Sequence, residues 1–234
     1  MSQLDEFTTK LHRFGSPEKA RNATRFFKTG VGDYGEGDIF IGASLPEIRK
    51  LIKSYTELPL SDIEILITNR IHEERLAALI MLVNQFRSGN EKTQAAIYDF
   101  YITHTKWINN WDLVDVSAEF IVGAWLENKD SKVLEELAHS PLIWERRIAV
   151  ISTFYYIKKG NPNKALEIIT ILLYDKQDLI QKANGWMLRE IGKRCSVEVE
   201  RSFLDTHYKT MPRTTLRYAI ERFPIAIRTH YLSK

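Results

Sequence analysis

From about residue 45 onward, apolar side chains recur at intervals of three and four with few interruptions, the period of a helix that buries one face. The pattern predicts helices over 45–55, 61–71, 73–87, 91–105, 111–127, 131–138, 142–159, 164–174, 178–194, 197–208 and 213–222. Between them fall the breaks Ser88-Gly89-Asn90, Asn128 to Ser131, Gly160-Asn161-Pro162 and Met211-Pro212, residues that interrupt helices or start turns. Upstream, two shorter amphipathic helices are expected between Ser2 and Phe27, separated by Phe14-Gly15-Ser16-Pro17. Ser16 is positioned as an N-cap, with Pro17 in the first turn. The glycine-rich stretch Lys28–Asp38 has no Gly-Lys-Ser/Thr ending and no preceding strand. It reads as a connector whose glycines reach positive φ, not as a phosphate loop. Strand-like alternation is hard to find, so the expected fold class is all-α.

These helices repeat. Arg75-Leu76-Ala77, Trp111-Asp112-Leu113, Arg147-Ile148-Ala149 and Ala183-Asn184-Gly185 stand 36 residues apart, and Arg217-Tyr218-Ala219 follows after 34. A period of that length with two helices per unit predicts a HEAT-like solenoid, an α-α superhelix with one helix of each pair lining a concave side. Small residues at Ala77, Ala149, Gly185 and Ala219 share one position of the frame, where close helix packing needs them. The expected organisation is one domain over 1–234, with N-terminal helices and the glycine-rich loop in 1–60 and repeats in 61–234.

Composition narrows the class. Apolar content of 44% and charged content of 27% are those of an ordinary globular chain. No apolar run approaches the length of a membrane span, and the N-terminus lacks a signal peptide's pattern, so a cytoplasmic protein with no membrane partner is expected. One cysteine, Cys195, excludes an internal disulfide, and the six histidines lack metal-ligand spacing; no metal and no cofactor are expected. The net charge of +3 conceals an asymmetry: residues 141–234 carry 17 Lys/Arg against 9 Asp/Glu, the first 140 carry 16 against 21. A basic half suits a polyanion such as nucleic acid, although a solvated basic surface has the same composition.

The frame also gathers candidate chemistry. Trp111 lies at offset 0, Asp115 at +4, Arg147 at 0 and Trp186 at +3, offsets that share one helix face. If that face is the concave lining, two indoles, a carboxylate and a guanidinium converge. Singly, each has an ordinary reading: either tryptophan as core, Asp115 as half of a structural ion pair. Arg146 and Arg147 form a doublet at a helix start, opposing the dipole, which calls for a compensating carboxylate or phosphate. Lys158, Lys182, Arg189, Lys193 and Arg217 are surface cations that together fit contacts to a nucleic-acid backbone.

Phe26-Phe-Lys-Thr-Gly with Gly35-Glu-Gly-Asp and Phe40-Ile-Gly, Asn110-Trp-Asp-Leu-Val-Asp-Val-Ser, Trp144-Glu-Arg-Arg-Ile-Ala, Lys182-Ala-Asn-Gly-Trp-Met-Leu-Arg-Glu-Ile-Gly-Lys-Arg and Met211-Pro-Arg-Thr-Thr-Leu-Arg-Tyr-Ala-Ile-Glu resemble, in order and along nearly the whole chain, the AlkD-type DNA alkylation repair glycosylases. The resemblance implies excision of cationic alkylated purines, 3-methyladenine and 7-methylguanine, from duplex DNA by a monomer without cofactor. It implies Asp115 as the catalytic carboxylate, Trp111 and Trp186 as sugar-facing indoles, and Arg147 as a backbone contact. Phe26 stands where some members have Tyr, so any hydroxyl contact there is missing. Alternatives are a HEAT-like scaffold that binds DNA without chemistry, and an RNA- or tRNA-binding repeat protein.

Overall fold

The structure, a computed structural model, describes residues 2–233. The all-α expectation holds: the chain is a helical-repeat fold, and among the described residues the β-type pairing is an isolated bridge between Ile39 and Ile71. Contacts divide it into two compact units, Met1–Ile121 and Val122–Lys234.

In the first unit run α1 (Gln3–Arg13), α2 (Pro17–Phe26), α3 (Leu45–Ile52), α4 (Leu60–Ile67), α5 (His72–Ser88), α6 (Glu91–Thr103) and α7 (Trp111–Asp115). Ser16 caps α2 through the amide of Lys19, with Pro17 next, as the sequence indicates. The organising element is α5, which packs against α3, α4, α6 and α7. Its residues 76–83 are all buried, and so are His72, Glu73, Glu74 and Arg75 in its first turn. Buried charge is costly unless paired, and each of the four has a partner. Glu74 accepts from His12 Nε2 at 2.6 Å, and Glu73 accepts from the amides of Ile41 and Gly42 at 3.1 and 2.7 Å. Gly42 has φ +85° and a Cβ there would stand 2.8 Å from the amide nitrogen of Ala20, so the loop closes on α2 only because this residue is glycine.

In the second unit run α8 (Lys132–Ala138), α9 (Ile143–Ser152), α10 (Phe154–Lys158), α11 (Asn163–Ile171), α12 (Asp178–Arg194), α13 (Val197–His207), α14 (Arg213–Ala219) and α15 (Ile225–Leu232). Here α12 is central, against α9, α10, α13 and α14. Gly185 makes its contact with α14 possible: a Cβ there would lie 2.5 Å from Cβ of Tyr218 and 3.2 Å from the amide of Ala219. At Gly185 the frame's small-residue position is a close helix crossing.

Two predicted helices are interrupted and one further helix is present. The helix expected over 111–127 is one α-turn, 111–115, followed by a π-helical turn, Glu119–Gly123. Ser117 explains the interruption, because its hydroxyl donates back to the carbonyl of Leu113 at 2.6 Å, a bond that bends helices. The helix expected over 142–159 divides at Thr153, whose hydroxyl donates to the carbonyl of Val150 at 2.6 Å. Finally, α15 has no counterpart among the predicted helices; it starts after Pro224 and is fastened by Tyr231, whose hydroxyl donates to Asp205 Oδ1 at 2.6 Å.

One buried group gives a stability prediction. Glu200 of α13 lies against Gly192 of α12, with Oε1 unpartnered among the described residues. Burial pushes its carboxyl up to about 8, against the opposing charge of Arg189. Between the ordinary 4.5 and about 8 the folded chain holds a proton that the unfolded chain has released, so this group's contribution falls as pH rises through that window. Glu200→Gln is expected to be near neutral at pH about 5 and stabilising by roughly 1–3 kcal/mol at pH about 9. Thermal melts at the two pH values check it; equal shifts at both would refute a buried neutral carboxyl.

Candidate active site

Both Trp111 and Asp115 sit on α7, a helix too short to hold its own shape. Its position comes from neighbours. Asn110 is fully buried as its N-cap, with Oδ1 accepting from the amide of Trp111 at 2.9 Å. Leu113 and Val114 fix the inner face in the core. The Trp111 ring stacks on Phe27 at 5.4 Å and 24°, and takes Phe26 edge-on at 5.8 Å. The stack continues through Phe40, 5.1 Å from Phe27, to the ring of His72, 4.6 Å from Phe40.

Beneath the stack lies a buried ionic network. Asp38 Oδ1 accepts from Arg75 at 2.6 Å and from Asn109 at 3.0 Å. Its Oδ2 faces His72 Nδ1 at 3.2 Å, and His72 Nε2 lies 2.8 Å from Asp112 Oδ2. Arg75 also donates to the carbonyl of Asn69 at 2.7 Å. The glycine-rich connector, with positive φ at Gly32 and Gly37, ends by delivering Asp38 to this cluster.

Above the network is a cleft of about 450 Å³ whose wall includes Phe27, Phe40, Leu76, Trp111, Asp112 and Asp115, a size suited to a small ligand. Asp115 is half-buried in it. On the inner side of α7, Tyr101 is buried, with its hydroxyl 3.0 Å from Ser117 Oγ; burial raises its phenol well above the usual range and the Asp115 charge adds to the rise. An indole and a carboxylate on one apolar wall form a place where a developing cation is favoured.

The sequence frame picks Trp111 and Asp115 from this unit and misses Phe27, Phe40, His72, Asp112 and Asp38. Phe26, the aromatic that the family resemblance points to, is 65% exposed, whereas Phe27 makes the stack. A signal for the network exists: His72-Glu73-Glu74-Arg75 is a charged run opening an otherwise apolar helix, and Arg75 shares the frame position of Trp111.

In the second unit, Trp186 on α12 is half-buried and edge-on to Phe154 at 5.6 Å, while Lys158 and Arg194 lie over the Phe154 ring at 4.4 and 5.2 Å. Arg147 is buried on α9, donating from Nη1 to the carbonyl of Leu179 at 2.6 Å. For Arg146 the compensating group is a carboxylate: its Nε donates to Asp175 at 2.7 Å and its Nη1 to the carbonyls of Ser140 and Pro141. Lys182 pairs with Asp178 at 2.6 Å and Arg189 with Glu221. Lys158, Lys193 and Arg217 are exposed. Trp144 is buried.

The family model described as DNA alkylation repair enzyme matches residues 7–223. Among solved structures, a predicted DNA alkylation repair enzyme from Enterococcus faecalis is similar at 18% identity and a TM-score of 0.70, over 90% of this chain and 97% of that one, a likeness of fold. No curated protein matches the chain.

Proposed function

The chain belongs to the DNA alkylation repair enzyme family, and on that premise we propose that it is a monofunctional DNA glycosylase releasing cationic alkylated purines, such as 3-methyladenine and 7-methylguanine, from duplex DNA. The observation that carries the reading is the pairing of Trp111 and Asp115 on one short helix in the wall of one apolar cleft.

An N3- or N7-alkylated purine already bears positive charge and leaves as a neutral base, so no general acid is required at the leaving group. As the N-glycosidic bond breaks, its electron pair goes to the purine and positive charge develops on the sugar. The Asp115 carboxylate faces that charge, stabilising the transition state more than the ground state. Water then bonds to the anomeric carbon and its proton passes to Asp115 or to solvent. Trp111 and Trp186 offer negative ring faces to the cationic sugar, worth about 0.5–2 kcal/mol each. Arg147 is assigned to a flanking phosphate, and Lys158, Lys193 and Arg217 to further phosphates; Arg147, like Arg146, Lys182 and Arg189, acts there only by leaving the partners it holds in the free protein. The substrate is duplex DNA bound by a monomer in the cytoplasm.

Incubating the protein with N-methylated duplex DNA and separating the small-molecule fraction tests this directly. Free 7-methylguanine is expected. Tight DNA binding without any released base would instead fit a non-catalytic scaffold.

A further inference from the structure

We propose that His72 is a positioning residue for this site, holding Asp112 from beneath and thereby fixing the short helix that carries Trp111 and Asp115. The inference rests on the glycosylase reading for its kinetic consequence, but its structural core stands apart from that reading.

The argument starts from α7. A five-residue helix has a single turn and no cooperative stiffness, so its orientation is set by what it is tied to. Its solvent-side ties are the Trp111 stack and the Asp112 carboxylate, and both lead to His72. Asp112 Oδ2 is 2.8 Å from His72 Nε2, while the Trp111 ring reaches the same imidazole through Phe27 and through Phe40. Asp112 is one turn before Asp115, so tilting its carboxylate rotates Asp115 with it.

The charge state of His72 decides whether the tie holds. Both ring nitrogens face carboxylates, Asp38 and Asp112, and an imidazole can donate to both only when protonated. Burial opposes that charge, but the bonds to Asp112 and Asp38 outweigh burial and the repulsion of Arg75, and raise its pKa above 6.5. The other charged groups around it are otherwise engaged or line the cleft. Arg75 binds Asp38 and the Asn69 carbonyl, Glu73 takes the amides of Ile41 and Gly42, and Lys19 and Asp115 are elsewhere in the cleft lining. Losing the proton leaves one nitrogen lone pair against a carboxylate, and the tie to α7 is the more exposed of the two. The side chain of Asp112 is 15% exposed and that of Asp38 is 3%, and Asp112 Oδ1 has no hydrogen-bond partner among the described residues whereas Asp38 is also held by Arg75 and Asn109, so Asp112 is the more loosely held of the two.

The deciding measurement is made on the wild-type protein. Wild-type protein is labelled with 5-fluorotryptophan, the Trp111 fluorine resonance is assigned by its absence from Trp111→Phe, and spectra are followed from pH about 5.5 to 9 alongside the His72 ring protons. The Trp111 resonance is expected to move with the His72 midpoint, above 6.5, and to lose that midpoint in His72→Gln. The rate of base release at saturating DNA is expected to fall roughly 10- to 100-fold along the same curve, with DNA affinity unchanged. A Trp111 resonance that stays still while His72 titrates overturns the proposal, even if base release is normal. Absence of base release at every pH, with the resonance still following His72, overturns the glycosylase reading and leaves the positioning role standing.

Discussion

Asp115→Asn is expected to slow base release by roughly 10²–10³-fold, the scale for removing one preorganised charge from a transition state, with DNA binding retained. The substitution keeps the shape of the side chain, removes the negative charge and exchanges one acceptor oxygen for an NH2 donor. The helix that bears it is held by other groups, Asn110, Asp112 and the Trp111 stack, so its placement is unaffected. The neighbouring carboxylate cannot substitute, because Asp112 is committed to His72 at 2.8 Å. Single-turnover release of 7-methylguanine, read beside DNA affinity, separates the two quantities. Equal release by both proteins removes Asp115 from the mechanism. An equal loss of release and of binding assigns it to recognition instead.

What the sequence discloses about the site follows from which interactions are local. Trp111 and Asp115 are four apart on one turn, and helical periodicity together with the repeat frame singles them out. The stack and the network are long-range. Phe27, Phe40 and Asp38 come from the connector and its flanks, 71 residues separate Asp38 from Asn109, and no periodic pattern links them. The glycine-rich stretch could be read as a connector with positive φ, as at Gly32 and Gly37, yet its purpose, bringing Asp38 under α5, depends on partners that one-dimensional spacing does not reveal.

Helix boundaries failed for a related reason. At Ser117 and Thr153 the apolar period continues, while a side-chain hydroxyl competes for the backbone carbonyl; hydrophobic pattern responds to which face is buried, not to that competition. The cations show the same limit. Arg146 and Lys193 are indistinguishable as sequence, but Asp175, 29 residues away, claims the first, whereas the second lies exposed on α12. The small-residue column translated into structure at Gly185, where the close crossing with α14 leaves no room for a Cβ.

The second large effect concerns stability. Asp38→Ala is expected to cost about 3–5 kcal/mol, the penalty for stranding a buried charge, since it leaves Arg75, 2% exposed, and His72 without their shared counter-ion. The pH dependence follows from two opposite shifts. Burial raises the Asp38 pKa, but His72, Arg75 and Asn109 together hold it below 3.8, so its stabilisation is present above 3.8 and lost as pH falls through the lowered value. His72 is shifted above 6.5, so its stabilisation is present below 6.5 and lost as pH rises through the raised value. The network is therefore at full strength between the two ordinary values, and the cost of Asp38→Ala, measured by denaturant titration, is expected to be greatest there and to shrink on either side. Asp38→Asn sharpens the test. Its amide oxygen can still accept from Arg75, but its NH2 then faces His72 Nδ1 and favours the neutral ring, so the alkaline loss should begin at lower pH than in wild type. A cost for Asp38→Ala below about 1 kcal/mol, the range of exposed ion pairs, would show that these charges are solvated, and the tether beneath α7 would lose its anchor.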